Sequence, residues 1–425
     1  MITGILTAGF GGLVLVGVPF AIAIAAVTVG AMTAADMEPA FFAQQLIAGS
    51  QSFSLLAIPL FMLAGELMSA GGMSQRLIDV ANTLVRHRTG GLAMVAVVSS
   101  LVFAAISGSA PATTAAIGAI LIPAMAKEGY DKAFAASITV SAGVLGPLIP
   151  PSIAFIIWGI IAEQSIGRLF LSGIVPGLAI AAGLLGVCYF HARRHRVPLL
   201  ARASWADMRH ALARGKWALL SPVLVLGGIY GGVFTPTEAA AMSCVYALGI
   251  GLFVERRLAP RQVPELLLKA ARTSAMVTAI IAVSAGFGVL IAQERIAVDF
   301  AAWLADNVEQ GWIALAGLNL VFFLLAAVMD EIAIMVVLGP LLIAIGQRFG
   351  VDPIHLGAII VTNVAIGMAA PPIGYCLFVG MAISGLPLGK IARAIWPQIL
   401  VMLVVLFLTT YIPQFALMFQ PVARH

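Results

Sequence analysis

One segment of the chain occurs twice. Gly118, Leu121, Ile122, Gly129, Asp131, Ile138, Val140, Gly146, Pro150, Pro151, Gly159 and Pro176 each meet an identical residue 221 positions on, from Gly339 to Pro397. Both copies place a Gly four residues before a Pro-Pro pair, Gly146 before Pro150-Pro151 and Gly367 before Pro371-Pro372, inside long apolar runs. Two successive prolines remove two backbone donors and cannot continue a helix, so each run breaks in its middle. In a bilayer, bare backbone at that depth is tolerated only where it is buried in protein or lines a cavity. Paired broken helices at matching positions of two halves point to a transporter binding site.

Composition puts these runs in a membrane. Hydrophobic residues make up 61% of the 425 and charged residues 10%, against about a quarter charged in soluble proteins. Mean hydropathy is +1.07. The expected fold is an all-α polytopic membrane protein in the lipid bilayer. Cys188, Cys244 and Cys376 lie far apart without metal or redox spacing and read as packing residues. The N-terminal stretch lacks a basic region, so the first span is expected to be retained.

Taken in order, the halves follow one plan. Residues 2–34 are interrupted at Gly17-Val18-Pro19, and 217–254 at Gly231 to Pro236. Basic clusters (Arg193 to Lys216, then Arg256 to Arg272) flank the second stretch on both sides, which requires an even number of crossings. Each stretch therefore reads as two short spans. Third spans are expected over 45–69 and 273–292. Arm helices lying on the membrane surface are expected over 72–90, with Met73, Leu77, Val80, Ala81 and Leu84 on one face, and over 296–310, with Ala297, Phe300, Ala301, Leu304 and Val308.

Re-entrant hairpins follow over 92–126 and 312–346, their arms of about fifteen residues too short for a ~30 Å core. Broken helices over 133–162 and 354–383 and last helices over 169–190 and 395–417 complete the repeats 1–196 and 197–425. Scaffold helices would occupy 2–70 and 217–292. Five crossings per half is odd, so the repeats are expected to be inverted. With both termini periplasmic, only Arg168, Arg295, Arg348 and Arg424 of the 23 Lys and Arg fall outside the cytoplasm.

The polar residues gather at the hairpin tips and the breaks. The first tip holds Ser107, Gly108, Ser109, Thr113 and Thr114 where two half-helices meet. Hydroxyls, freed carbonyls and helix ends can coordinate Na⁺ or a substrate carboxylate, or can serve as packing glue between helices. Asp330 aligns with Ser109 across the repeat. A carboxylate at that depth costs about 2.5–3.5 kcal/mol unless partnered or wet, so it reads as an ion or substrate residue, with helix capping as the alternative. Glu331 beside it reads so less strongly. Thr362 and Asn363 add a hydroxyl and an amide before the second break. Thr235-Pro236-Thr237-Glu238 is a helix start. No nucleotide loop, nucleophile elbow or zinc-protease motif occurs, so an enzyme, an ATP-driven pump and a nucleic-acid partner are not expected.

The hairpins, the Gly-x-x-x-Pro-Pro breaks, the run Ile58-Pro59-Leu60-Phe61, the stretch from Phe234 to Glu238 and the Met329-Asp330 tip together resemble the large membrane subunit of tripartite ATP-independent periplasmic (TRAP) transporters, over essentially the whole chain. That resemblance implies Na⁺-driven uptake of a small organic acid across a bacterial inner membrane by an elevator motion. It implies two partners: a small four-helix membrane subunit and a soluble periplasmic substrate-binding protein. It implies at least two Na⁺, one at Ser107, Gly108 and Ser109 with backbone near Gly146, Ile149 and Pro151. The other would use Asp330 with Gly367, Ala370 and Ile373, with Thr362 and Asn363 as further candidates. Ser109, Thr113, Pro150, Asn363 and Pro371 are the expected substrate-cavity residues. Ala370 departs from the Thr that often precedes the second Pro-Pro in the family, leaving that ion to carbonyls or to Thr362. A stand-alone Na⁺/dicarboxylate carrier and a structural scaffold subunit are the alternative readings.

Overall fold

The computed structural model describes residues 2–420 apart from Pro198 and Glu309. Among the described residues every regular element is helical. Repeat 1 contributes α1 (residues 2–15), α2 (Phe20–Ala34), α3 (Pro39–Ser50), α4 (Ala57–Ala70), α5 (Met73–Val85), α6 (Gly91–Ser107), α7 (Ala110–Lys127), α8 (Lys132–Gly143, extended by a turn at Leu145–Leu148), α9 (Ile153–Ile161) and α10 (Ile166–His195). Repeat 2 contributes α11 (Trp205–Tyr230), α12 (Pro236–Gly249), α13 (Val263–Gln293), α14 (Ile296–Asn307), α15 (Gly311–Ala326), α16 (Glu331–Arg348), α17 (Pro353–Gly367), α18 (Tyr375–Ser384), α19 (Leu388–Ala394), α20 (Trp396–Tyr411) and α21 (Pro413–Leu417).

The residues shared by the two copies have local causes. Gly129 and Gly350 both take positive φ, which suits glycine at the turn ending each hairpin. Two residues later Asp131 and Asp352 cap the next helix. Asp131 accepts from Phe134 N at 2.9 Å, and Asp352 from Ile354 N at 2.8 Å and His355 N at 3.0 Å. Gly118 and Gly339 lie where a side chain would meet Ile383 and Ile161, at the ends of the broken helix of the opposite repeat. The two repeats thus exchange their broken ends: α9 packs on α16 of repeat 2, and α18 packs on α7 and α8 of repeat 1.

Several expectations need correction. The third span expected from Gln45 begins at Pro39 and is interrupted after Ser50, where consecutive polar residues meet a short 3₁₀ turn at Phe53–Leu56. Its counterpart α13 starts at Val263, ten residues before Thr273, and runs unbroken. Both lie antiparallel, with Gly49 against Ala282 and Ala285. The helix expected from Trp217 starts at Trp205 behind a Ser204–Asp207 capping box, and its basic first turns lie on α5, where Gly215 meets Val80. On the surface helices, Met73, Leu77, Val80, Ala81, Ala297 and Ala301 are buried, whereas Leu84 and Phe300 are exposed.

The second arm of each hairpin has 18 residues, not fifteen, so length alone does not make them re-entrant. Seven helices among the described residues are long and apolar enough to cross a membrane, or nine counting two bent pairs; two of the seven, α7 and α16, are hairpin arms and lie outside the ten crossings expected. The shortfall lies partly in α1 and α2, whose antiparallel pairing at Gly9–Val27 and Gly30–Ile5 joins helices only about 22 Å long. Arg424 lies outside the described residues.

Candidate ion and substrate site

Each hairpin tip is stitched to the break of its own repeat by a bond from a matching donor, although the acceptors differ by two positions. Ile153 N donates to Gly108 O at 3.3 Å, and Gly374 N, at the matching position, donates to Ala327 O at 2.9 Å. These bonds satisfy donors that the Pro-Pro pairs leave exposed at mid-helix. Pro150-Pro151 and Pro371-Pro372 are both cis.

At the first tip the backbone pieces touch. A side chain on Gly146 would lie 2.5 Å from the Ser109 carbonyl, and one on Gly108 would lie 2.6 Å from Pro151 O. Only glycine allows that approach. Ser107 Oγ lies 2.7 Å from Thr113 Oγ1, which donates to Ser109 O at 2.8 Å. Ser152 caps α9, accepting from Phe155 N at 3.2 Å and donating to Pro147 O. Ile149, Pro150, Pro151 and Ser152 are all buried. Of the residues expected at this site, Ser107, Gly108, Ser109, Thr113, Gly146 and Pro151 come together, and Ile149 packs behind them on Gly177.

The second tip is built differently. Asp330 is exposed and caps α16, its Oδ1 accepting from Ile332 N at 3.0 Å and Ala333 N at 3.4 Å. Its Oδ2 has no donor among the described residues, so capping leaves one carboxylate oxygen free. Gly367 meets Ala326, and Ala370 N donates to Gly367 O at 2.9 Å. Pro372 and Ile373 are exposed. Asn363 turns toward α15, donating to Asn319 O at 2.9 Å and Oδ1 at 3.0 Å, while its own Oδ1 is buried without a partner.

Three further polar side chains are buried near the breaks and tips, and of these only Ser141 carries no sequence reading. Ser141 matches Thr362 across the repeat, and both hydroxyls are buried without a partner among the described residues. Thr362 differs in having a second polar residue, Asn363, beside it, where Ser141 has Ala142. Glu331 is buried at the start of α16 with Oε2 unpartnered, although it reads in sequence as the lesser neighbour of Asp330. Thr114 Oγ1 occupies the space left by Gly143. A buried polar atom without a partner is costly, so such atoms mark places where an ion or ligand would be welcome. Among the described residues no three His, Cys, Asp or Glu come together. The oxygens on offer are hydroxyls, carbonyls and single carboxylates, which suit hard cations better than soft ones.

Comparison with known proteins agrees with this architecture. Residues 7–415 match the family model described as Tripartite ATP-independent periplasmic transporter, DctM component. The chain is 42% identical over 373 residues to the C4-dicarboxylate TRAP transporter large permease protein DctM of Pseudomonas aeruginosa, covering 88% of this chain and 87% of that one. It is 35% identical to the 2,3-diketo-L-gulonate TRAP transporter large permease protein YiaN of Escherichia coli, covering 95% of each. It is 34% identical to the sialic acid TRAP transporter large permease protein SiaM of Vibrio cholerae, covering 89% and 88%. Among solved structures, the Alcanivorax borkumensis YdaH transporter is similar at TM-score 0.64 and 15% identity, covering 87% of each chain. Neisseria gonorrhoeae MtrF is similar at TM-score 0.63 and 14% identity, covering 88% and 83%. These two likenesses concern the fold.

Proposed function

The chain belongs to the DctM component family of TRAP transporters, and on that premise we propose that it takes up a small organic acid by Na⁺ symport. Two observations support the reading: each break donates a backbone bond to the hairpin tip of its own repeat, and the helix ahead of each break carries a buried unpartnered hydroxyl, Ser141 in one repeat and Thr362 in the other. One Na⁺ sits at the first tip among Ser107, Ser109 and the carbonyls near Gly146 and Pro151. A second sits at the second tip among Asp330, Thr362 and the carbonyls near Gly367 and Ala370. The acid lies between the tips.

The moving part comprises the hairpins, broken helices and last helices, and α1 to α4 with α11 to α13 form the scaffold. A small membrane subunit and a periplasmic binding protein complete the assembly. Two Na⁺ suffice as drive, each gaining about 2.3 kcal/mol per 100 mV of membrane potential and about 1.4 kcal/mol per tenfold gradient.

Reconstitution in proteoliposomes with both partners tests this. Uptake of a C4-dicarboxylate, a sugar acid or sialic acid is expected to stop when K⁺ replaces Na⁺ on both sides. Undiminished uptake in K⁺ would refute the coupling. Equally fast uptake without the binding protein would favour a stand-alone carrier.

A further inference from the structure

One charged pair stands outside both proposed ion sites. A cavity of about 140 Å³ separates the first hairpin tip from α4 and α13. One wall carries Ser107, Ser109 and Ala112, and the facing wall carries Glu66 and Lys269. These are the only charged groups among the described residues lining it. Lys269 Nζ lies 2.8 Å from Glu66 Oε1 and 2.9 Å from Oε2. In sequence Lys269 reads only as part of the basic flank of α13. The fold turns it toward the hydroxyls of the tip.

A pair that holds two helices together firmly is usually shielded from solvent, because exposed pairs contribute little. Here the Lys269 side chain is 64% exposed and that of Glu66 28% exposed. A wet pair of this kind is worth little as a strut, and its ammonium can change partners at small cost.

We infer that Lys269 recognises the carboxylate of the transported acid on the path between tip 1 and solvent, with Glu66 as the partner that the acid displaces. The inference rests on the proposed organic-acid transport through this tip. Exchanging one carboxylate for another on the same ammonium keeps Lys269 paired and leaves Glu66 without its partner, at small cost because its side chain reaches solvent. The returning Glu66 then competes the acid away, so the site passes an anion on instead of trapping it. Ser69 and Thr273 on the same wall supply hydroxyls to the rest of the ligand.

The test uses the assembled transporter in membranes and needs no transported substrate. Ala112→Cys places a thiol on the cavity wall, and the three native cysteines are buried, so the chain without this change supplies the background. The readout is the labelling rate with anionic 2-sulfonatoethyl methanethiosulfonate divided by that with its cationic trimethylammonium analogue. Lys269→Gln is expected to lower the ratio about three- to tenfold, the effect of one cation in a partly wet cavity. Lys269→Arg is expected to retain the wild-type ratio, and Glu66→Gln to hold or raise it. A ratio unchanged in Lys269→Gln overturns the inference. So does a ratio falling alike in Lys269→Gln and Glu66→Gln, because a strut loses its geometry whichever partner goes. Failure of the transport reading would show separately, as absence of carboxylate uptake by the wild type.

Discussion

The first hairpin is closed and the second is splayed. The arms α6 and α7 pack on each other, and the break at Pro150-Pro151 is buried beneath them. In repeat 2, α15 packs chiefly on α17 while α16 packs on α14, α13 and α9, and the break at Pro372-Ile373 is exposed. The chemistry differs in step. Where tip 1 has Ser107, Ser109 and Thr113, tip 2 has Val328, Asp330 and Ile334 at the matching positions. A closed tip can surround an ion with neutral hydroxyls and carbonyls. An open tip offers fewer oxygens, and a carboxylate compensates by charge. One backbone plan, duplicated, thus presents two chemically different tips. The arms differ as well. Arg76 on α5 pairs with Glu255 at 2.6 Å, with side chains 11% and 7% exposed, whereas Arg295 and Asp299 at the start of α14 pair at 3.8 Å in the open.

The largest test of this contrast is steric. Gly146→Val should abolish uptake and destabilise the protein by about 1–3 kcal/mol, the usual cost of overpacking, because its neighbour is the Ser109 backbone. Gly367→Val meets Ala326 Cβ, as close a neighbour as any at Gly146, and its carbonyl carbon at 2.8 Å, but on an arm that packs little on the other arm of its hairpin. It should retain measurable uptake at matched protein levels. Equal loss in both variants would erase the distinction between closed and open tips.

Next come the arms. Arg76→Met leaves Glu255 buried without its partner and should lower stability by about 3 kcal/mol, read as the thermal midpoint of the purified complex. Arg295→Met should change it by less than about 1 kcal/mol. Similar shifts would mean that both arms are held alike.

Asp330→Asn separates charge from capping at the open tip. Asn caps a helix as well as Asp does, so stability should hold while the Na⁺ concentration for half-maximal uptake rises about three- to tenfold, as expected for one lost charge near the ion. An unchanged half-saturation with unchanged maximal rate would make Asp330 a cap alone.

The smallest effect concerns what the two copies share. Asp131→Ala and Asp352→Ala each remove a helix cap and should each cost about 1 kcal/mol. A loss confined to one of them would show that the repeats differ even where their residues agree.

The sequence was informative wherever structure depends on neighbours along the chain. Apolar runs put the protein in a membrane and Pro-Pro pairs located the breaks, because each is a property of a few consecutive residues. Pairing between helices was not legible. A span that is apolar on every side has no polar face to say which side turns inward, and small residues allow close approach to many partners. Only the tertiary structure decided that α9 and α18 cross to the opposite repeat, that the second hairpin opens, that the third span breaks in one repeat and not in the other, and that Lys269 faces the Ser109 tip. These outcomes rest on which surfaces fit one another across long stretches of chain, which residue order alone leaves undetermined.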